Sequence, residues 1–242
     1  HAFSFDGQLG QFMKIFIPGV LLSNITMGIY YPWFIARVYR FIANKTYVNS
    51  GKMEFKGKGS DLFIITLCCL IIPIILIIIP LMVAAFIAAM RVGPDNATTD
   101  YIVELFSAIT FLVILVMAIP YIYYFYKWTV QVGYKNYNIK WETSFWPSAS
   151  KIASELALST VTLGIYSPLA LVRLYSYFSS RTTSRSDSKN FKFGYDIEQQ
   201  NDFLFIWGQI LLTLITLGLY FPWAFCRITQ RIVQKTFVIE TL

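Results

Sequence analysis

The sequence is poor in the residues on which most catalytic chemistry depends. Histidine occurs once, at position 1, which excludes an HExxH site and leaves little basis for histidine acid–base catalysis or zinc binding. The sequence also contains neither a Gly-x-Ser-x-Gly motif nor a Walker loop. Serines near Lys151 allow a Ser/Lys pair, but a polar helix start explains them more simply. We therefore predict no catalytic residues, no metal and no cofactor, and a protein that is not an enzyme.

Cysteine and charge are also scarce. The three cysteines, Cys68, Cys69 and Cys226, lie inside apolar runs without CxxC spacing, so we expect neither a disulfide framework nor a zinc knuckle. Charged residues make up 14% of the chain, whereas hydrophobic residues make up 56% and aromatic residues 18%. Soluble domains contain about 25% charged residues. This composition indicates a membrane protein.

Long uncharged runs support the same conclusion. They cover residues 15–36, 62–90, 105–126, 156–172 and 203–226. A bilayer core of about 30 Å needs roughly 20 apolar residues in a helix, so four runs are long enough and 156–172 is marginal. We predict a mostly α-helical, polytopic membrane protein, with residues 1–242 forming a single membrane domain.

The charges that do occur are mainly basic, giving a net charge of +7. They are concentrated in segments 37–58, 127–151, 173–192 and 227–235, whereas segment 91–100 carries one arginine and two aspartates. Short basic segments beside apolar runs are typical of cytoplasmic loops that contact anionic lipid. We therefore predict a lipid bilayer as the partner and no binding of nucleic acid.

One motif, Thr-x-Gly-x-Tyr-x-Pro, occurs at residues 26–32, 162–168 and 216–222. Glycine can end a helix in the left-handed conformation, and proline suits the first turn of the next helix. The motif therefore predicts a helix-breaking elbow in each copy. The predicted elbow residues are Gly28, Tyr30, Pro32, Gly164, Tyr166, Pro168, Gly218, Tyr220 and Pro222.

Short segments of alternating apolar and polar residues precede the apolar runs and end the chain. They lie at 3–7, 53–57, 139–142, 191–194 and 237–240, and alternation of this kind predicts strands. Aligning Phe5, Phe55, Trp141 and Phe193 divides the chain into four pseudo-repeats of strand, helix, break and helix. Their bounds are 1–50, 51–137, 138–189 and 190–242, with the second expanded and lacking the motif. We predict that the short strands form a cytoplasmic cap.

The topology depends on whether each unit crosses the membrane once or enters and returns. Single crossings would place equivalent basic segments on opposite sides, against the positive-inside rule. We therefore prefer hairpins, with every basic segment and strand in the cytoplasm. The return helices carry cationic residues, so they must be covered by neighbours or line a polar cavity. The main alternative is that they lie on the membrane surface as amphipathic helices.

The combination of F-x-F-x-G, T-x-G-[IL]-Y-x-P-W-x-x-x-R and a later threonine resembles the YjgN-like family of bacterial inner-membrane proteins, a domain of unknown function. The third copy departs from the pattern, with Leu169 where the others have Trp33 and Trp223. The resemblance implies a multi-pass protein of the bacterial inner (cytoplasmic) membrane with cytoplasmic basic loops. It also points to a membrane-protein partner, for example a membrane protease.

Arg37, Arg173 and Arg227, each five residues past a motif proline, are the strongest candidates for binding a substrate or lipid. An arginine in or near a membrane helix is costly, and its guanidinium binds anions through paired hydrogen bonds. The structural alternative is that these arginines mark the interface or pair with helix C-terminal carbonyls. Trp33 and Trp223, four residues before Arg37 and Arg227, suit a cation–π contact.

The polar residues near these arginines allow both functional and structural roles. Thr26, Thr162 and Thr216 either bind a substrate or bond back to the preceding helical turn. Asp61 and Asp202 are expected to cap helices rather than to carry protons. Glu104 and Glu155 are better candidates for proton transfer, although both lie near helix starts.

Two functions fit these patterns. The first is a small transporter or channel for an anionic solute or lipid headgroup. The second is a non-catalytic scaffold or regulatory subunit of a membrane complex.

Overall fold

The computed structural model describes residues 3–48, 51–92, 97–133, 138–185 and 190–241. The chain is mostly helical, as predicted. Its first half contains β1 Phe3–Phe5, α1 Leu9–Ile25, α2 Tyr31–Asn44, β2 Thr46–Val48, β3 Gly51–Lys52, β4 Glu54–Phe55, α3 Gly59–Thr66, a π-helical turn Leu67–Ile71, α4 Ile72–Val92 and α5 Ala97–Thr129. Its second half contains β5 Val132–Gly133, β6 Asn138–Trp141, α6 Phe145–Val161, α7 Ser167–Ser179, β7 Thr182–Arg185, β8 Asn190–Tyr195, α8 Gln199–Ile215, α9 Phe221–Gln234 and β9 Thr236–Thr241.

The helices form antiparallel hairpins. Hairpin 1 is α1 with α2, hairpin 2 is the continuous α3–α4 helix with α5, hairpin 3 is α6 with α7, and hairpin 4 is α8 with α9. In hairpins 1, 3 and 4 the first helix has 17 residues. In hairpin 2 the helices Gly59–Arg91 and Thr98–Thr129 have 33 and 32 residues. Within the described ranges, these two helices alone are long and apolar enough to cross a membrane.

Each hairpin is closed at its base by a pair of antiparallel strands. The pairs are β1 with β2, β4 with β5, β6 with β7, and β8 with β9. The same backbone hydrogen bond follows each pair: Asp6 to Lys45, 2.9 Å; Lys56 to Gln131, 2.8 Å; Glu142 to Arg181, 3.0 Å; Asp196 to Lys235, 3.0 Å. Further pairings join β2 to β3 and β7 to β8. The two ends of every hairpin therefore meet, and the elbows lie at the opposite end.

The structure contains strands at all five predicted segments, and it adds β2, β3, β5 and β7. It also corrects the alignment of the fourth unit. The closing hydrogen bond of Asp196 makes Tyr195, rather than Phe193, equivalent to Phe5. The side-chain period of a strand is two, so a shift by two residues keeps the same faces and leaves the apolar alternation unchanged.

The hairpins pack into a closed ring. Helix α2 packs on α3, α5 on α6, and α7 on α8, and the ring closes where α9 packs on α1. At this closure Phe225 stacks on Phe12 with ring centroids 4.8 Å apart, and Phe221 lies 5.5 Å from Phe16. Buried apolar residues form separate clusters at the junctions of neighbouring hairpins. Aromatic side chains therefore tie the last hairpin directly to the first.

Candidate functional site

The three elbows share one backbone conformation. Met27, Leu163 and Leu217 have φ angles of 49°, 50° and 51°, and the glycine after each has a φ between 86° and 88°. The glycine N–H bonds the carbonyl five residues earlier, as Gly28 does to Ser23 at 2.7 Å. This pattern is a Schellman helix ending, here with a side chain at a position that usually holds glycine.

The motif threonines hold the two helices of each elbow together. The Thr26 hydroxyl donates to the carbonyl of Leu22 at 2.7 Å and accepts from the Tyr30 N–H at 3.0 Å. Thr162 and Thr216 make the same pair of bonds. Each hydroxyl therefore has backbone partners on both sides of the break. The motif prolines, Pro32, Pro168 and Pro222, lie in the first turn of the second helices and are buried.

Two of the three motif tyrosines bond to polar residues of their own hairpins. The Tyr166 hydroxyl donates to Glu155 at 2.8 Å, and the Tyr220 hydroxyl donates to Gln209 at 3.1 Å. In both cases the partner lies 11 residues earlier. The same position before Tyr30 is Gly19, and the buried Tyr30 hydroxyl has no partner among the described residues. Gln209 is buried here, and no signal in the sequence indicated this.

Hairpin 3 contains a buried polar cluster. Glu155 is 1% exposed and forms an ion pair with Lys151 at 2.6 Å. Arg173 donates to the Tyr166 hydroxyl at 2.6 Å and to Gln199 of α8 at 3.1 Å. Arg173 is thus engaged in tying hairpin 3 to hairpin 4.

Arg37 lies beside a cationic depression at the base of hairpin 1. The depression has a volume of about 400 Å³ and is lined by Ile15, Arg37, Arg40, Phe41, Asn44, Lys45 and Lys52. Within the described ranges, no carboxylate forms an ion pair with any of its four cations. We name this feature the hairpin 1 depression. Its chemistry suits an anion with several oxygen atoms, because all four cations are hydrogen-bond donors.

The predicted cation–π contact between Arg37 and Trp33 is wrong, because Arg37 lies over the ring of Tyr30 instead. Arg37 lies 5.6 Å from the ring centroid of Tyr30, two helical turns earlier, and Arg173 lies 5.6 Å from that of Tyr166. Trp33 instead packs on Phe63 of the next hairpin, 5.3 Å away. Packing between hairpins, which the sequence of one helix does not contain, decides the direction of the indole.

Arg227 lines a second depression, of about 340 Å³, with Phe205, Gln230, Arg231 and Gln234. It shares no lining residue with the hairpin 1 depression. Arg173 has its own partners between hairpins 3 and 4. The structure therefore gives Arg37, Arg173 and Arg227 three separate environments.

Asp202 is the centre of a second ionic cluster, at the base of hairpin 4. It is 1% exposed and accepts from Arg231 at 2.8 Å, Lys235 at 2.7 Å and the Tyr195 hydroxyl at 3.1 Å. It also accepts from the N–H of Glu198 at 3.2 Å, as a capping residue does. Burial alone would raise the pKa of Asp202, but the hydrogen bonds from Lys235 and Arg231 outweigh burial and hold the pKa below its ordinary value of 3.8.

These features define a mostly helical protein with two helices able to cross a membrane and cationic residues at the bases of its hairpins. The chain belongs to the family described as "Bacterial protein of unknown function (DUF898)", which matches residues 1–202.

Two relatives are named "Inner membrane protein YjgN". The protein from Salmonella typhimurium is 35% identical over 75 residues, which are 31% of this chain and 19% of the relative. The protein from Escherichia coli is 31% identical over 64 residues, 26% of this chain and 16% of the relative. The matches thus span less than a fifth of either relative's length. No solved structure matches the chain.

Proposed function

We propose that the chain is a multi-pass protein of the bacterial inner membrane, built of four strand-helix-break-helix units. On this proposal the helical hairpins enter from the cytoplasm and return, and the strands form a cytoplasmic cap. The closing strand pairs support this topology, because they place both ends of every hairpin side by side. The basic segments then share the cytoplasmic side, in agreement with the positive-inside rule.

The longest hairpin provides a scale for membrane depth. The helix between Tyr101 and Tyr121 rises about 30 Å, which equals the thickness of a bilayer core. Aromatic residues at these two positions suit the two interfaces. Arg37 precedes Lys45 by as many residues as Tyr123 precedes Gln131, and Lys45 and Gln131 accept the same closing hydrogen bond. Arg37 therefore falls at the level of Tyr123, next to the cytoplasmic interface that Tyr121 marks.

At that level the protein binds the phosphate of anionic lipid headgroups and acts as a non-catalytic membrane scaffold. The hairpin 1 depression carries this proposal, because it presents four cations without carboxylate partners among the described residues. Arginine binds phosphate through paired hydrogen bonds, and basic residues near the cytoplasmic leaflet attract anionic lipid.

The separate environments of the three arginines favour the scaffold over a transporter or channel. A route for an anion would require Arg37, Arg173 and Arg227 to line one passage, whereas each has different neighbours. The hydroxyls of the motif threonines are also committed to backbone partners. The three arginines thus suit three independent contacts with headgroups or neighbouring hairpins.

Retention of lipid by the purified chain tests this proposal. The Arg37→Gln/Arg40→Gln variant is compared with a control, Lys14→Gln/Arg91→Gln, that loses the same charge elsewhere. We expect native mass spectrometry from mixed phosphatidylethanolamine and phosphatidylglycerol to show several-fold less retained phosphatidylglycerol in the first variant only. Equal retention in both variants would refute headgroup binding here. Displacement by inorganic phosphate alone would identify a free anion as the ligand.

The scaffold role also requires a membrane-protein partner, for which a membrane protease is one example. The cap offers a surface for such a partner, since β9 is the last strand of its four-stranded sheet and an edge strand can pair with another chain. Cross-linking in native membranes, followed by mass spectrometry, tests this role. A stoichiometric protein cross-linked to the cap supports it, and recovery of the chain without one argues against it.

A further inference from the structure

The elbows of hairpins 1, 3 and 4 each end in an apolar side chain that points away from the rest of the protein. Met27, Leu163 and Leu217 are 95%, 93% and 95% exposed. Their neighbours on either side are exposed aliphatic residues as well: Ile25, Ile29, Val161, Ile165, Ile215 and Leu219. We name Met27, Leu163 and Leu217 the tip residues. Exposing three such apolar tips to water would be unfavourable, because their side chains would remain hydrated and pack against nothing.

The backbone at each tip adds a second cost in water. The tip residues have φ angles near +50°, a left-handed conformation that is unfavourable for residues with a Cβ. Glycine is the residue that usually occupies this position of a helix ending. In water, an apolar side chain at this position therefore has two costs: the strained backbone and its own exposed apolar surface. Both costs are explained if the side chain gains by leaving water, since burial of a leucine outweighs one left-handed residue.

The backbone N–H groups of the elbow are satisfied within the protein, as a lipid environment requires of them. From Thr26 to Tyr31 every backbone N–H donates to an oxygen of the protein, and the same holds in the other two elbows. The carbonyl of Ile165 also accepts from the Trp207 indole at 2.7 Å. Lipid offers no hydrogen bonds, so non-helical backbone at membrane depth must be satisfied internally. A turn in water has no such requirement.

The depth of the tips follows from the length of the hairpins. A 17-residue helix rises about 25 Å, less than the roughly 30 Å of a bilayer core. From Arg37 back to Tyr31 the helix rises about 9 Å, and the elbow adds a few ångströms more. With Arg37 at the headgroups, the tip lies about one leaflet deep, near the midplane. The helices of hairpin 2, with 33 and 32 residues, continue across.

From these observations we propose that hairpins 1, 3 and 4 are re-entrant, and that their tip residues insert into the acyl chains of the cytoplasmic leaflet without crossing the membrane. Hairpin 2 alone reaches the other side. This inference rests on the inner-membrane topology proposed above, and it adds the depth and the lipid contact of each elbow.

Cysteine accessibility in native membranes tests the inference. Single cysteines at Met27→Cys, Leu163→Cys and Leu217→Cys are placed in a background in which Cys68, Cys69 and Cys226 are alanine. Tyr101→Cys is the reference for the outer surface, and Ser4→Cys is the reference for the cytoplasmic cap. A membrane-impermeant maleimide is applied to spheroplasts and to inside-out vesicles. We expect Tyr101→Cys to react in spheroplasts, Ser4→Cys in inside-out vesicles, and the tip cysteines at least ten-fold more slowly in both.

A depth measurement completes the test. The same tip cysteines are labelled with a fluorophore, and the protein is placed in vesicles of phosphatidylethanolamine and phosphatidylglycerol. A fraction of the lipids carries a quencher on the acyl chain, either near the headgroup (shallow) or near the bilayer midplane (deep). We expect stronger quenching by the deep quencher for the tips and by the shallow one for Tyr101→Cys.

The outcomes separate this inference from the proposal on which it rests. If the tip cysteines react in spheroplasts as fast as Tyr101→Cys, the hairpins cross the membrane and the re-entrant inference is wrong. That result would leave the inner-membrane proposal unchanged. Fast reaction of the tips in inside-out vesicles would overturn insertion. If Tyr101→Cys itself fails to react in spheroplasts, the multi-pass topology fails and the inference fails with it.

Discussion

The hydroxyl of Tyr166 donates a hydrogen bond to the carboxylate of Glu155, 2.8 Å away on the facing helix of hairpin 3. Hairpin 4 places Tyr220 and Gln209 in the same relationship at 3.1 Å. Hairpin 1 has Gly19 at that level, and the ring of Phe34 occupies the space. The same junction between two helices is therefore held by an ionic cluster, by a neutral hydrogen bond and by aromatic packing.

Removing the carboxylate of Glu155 should destabilise hairpin 3 strongly. Glu155→Ala leaves Lys151 and the Tyr166 hydroxyl without their shared partner. The Lys151 side chain is 35% exposed, so water screens its charge, and we expect a loss of about 1–3 kcal/mol, typical of a buried hydrogen-bonding group left unsatisfied. Glu155→Gln keeps an acceptor for Tyr166, as Gln209 does in hairpin 4, and we expect a smaller loss. Thermal unfolding in detergent measures both variants. Equal midpoints for the two variants would show that the charge and the hydrogen bond do not matter here.

The close packing in hairpin 1 predicts that Gly19→Ala is harmful and Gly10→Ala is not. A Cβ at Gly19 would lie 2.0 Å from the ring of Phe34, whereas a Cβ at Gly10 meets nothing within 4 Å. Both glycines lie in α1, and helix propensity alone would favour alanine over glycine at Gly19. We expect Gly19→Ala to lower stability by about 1–3 kcal/mol, measured by thermal unfolding. A neutral Gly19→Ala would mean that the hairpin opens at little cost.

The hydrogen bonds of the elbow threonines predict that substituting Thr216 by valine and by serine changes stability differently. Thr216→Val removes the hydroxyl that bonds Leu212 and Tyr220 on the two sides of the break, while it preserves the shape of the side chain. We expect a loss of about 1–2 kcal/mol, typical of a helix cap. Thr216→Ser keeps the hydroxyl and should recover most of the stability. If both variants unfold alike, the hydroxyl does not hold the elbow.

The lowered pKa of Asp202 predicts that the folded protein loses stability in acid. Its pKa is lowered in the folded protein, so it contributes stability above its unfolded pKa, and this contribution disappears as the pH falls through the lower, folded pKa. The hydrogen bonds from Asn201 and Lys235 also lower the pKa of Glu198, which acts in the same direction. Asp202→Asn should unfold more easily at pH 7 and lose less stability than the unchanged protein between about pH 5 and pH 2. Parallel pH profiles of the unfolding temperature would contradict this.

The regular features of the fold were predictable from the sequence because they depend on local patterns. Composition and apolar runs indicated helices, and alternation located β1, β4, β6, β8 and β9. In the structure a helix also ends at each Gly-x-Tyr-x-Pro segment, where positive φ angles and the backbone hydrogen bonds of a helix ending are found. Strand β7 was not predicted, because Thr182–Arg185 is polar and gains its place only by pairing with β6 and β8.

The parts of the candidate site that could not be predicted depend on contacts between helices. Tyr166 and Glu155 meet because a hairpin places them at one level, and the pairing of Asp202 with Lys235 joins residues 33 apart. No periodicity within one helix encodes such pairs. The direction of Trp33, which packs on Phe63 rather than Arg37, likewise depends on the neighbouring hairpin.

On the proposed topology, the closure of each hairpin at its base determines how much of the chain must be translocated during biogenesis. Both ends of hairpins 1, 3 and 4 would be held in cytoplasmic strands, so no hydrophilic segment of these hairpins would have to cross the bilayer. The polar stretch from Arg91 to Asp100 in hairpin 2 would have to cross. Hairpin 2 would then need a translocation step, whereas the other three would partition into lipid from the side on which they are synthesised.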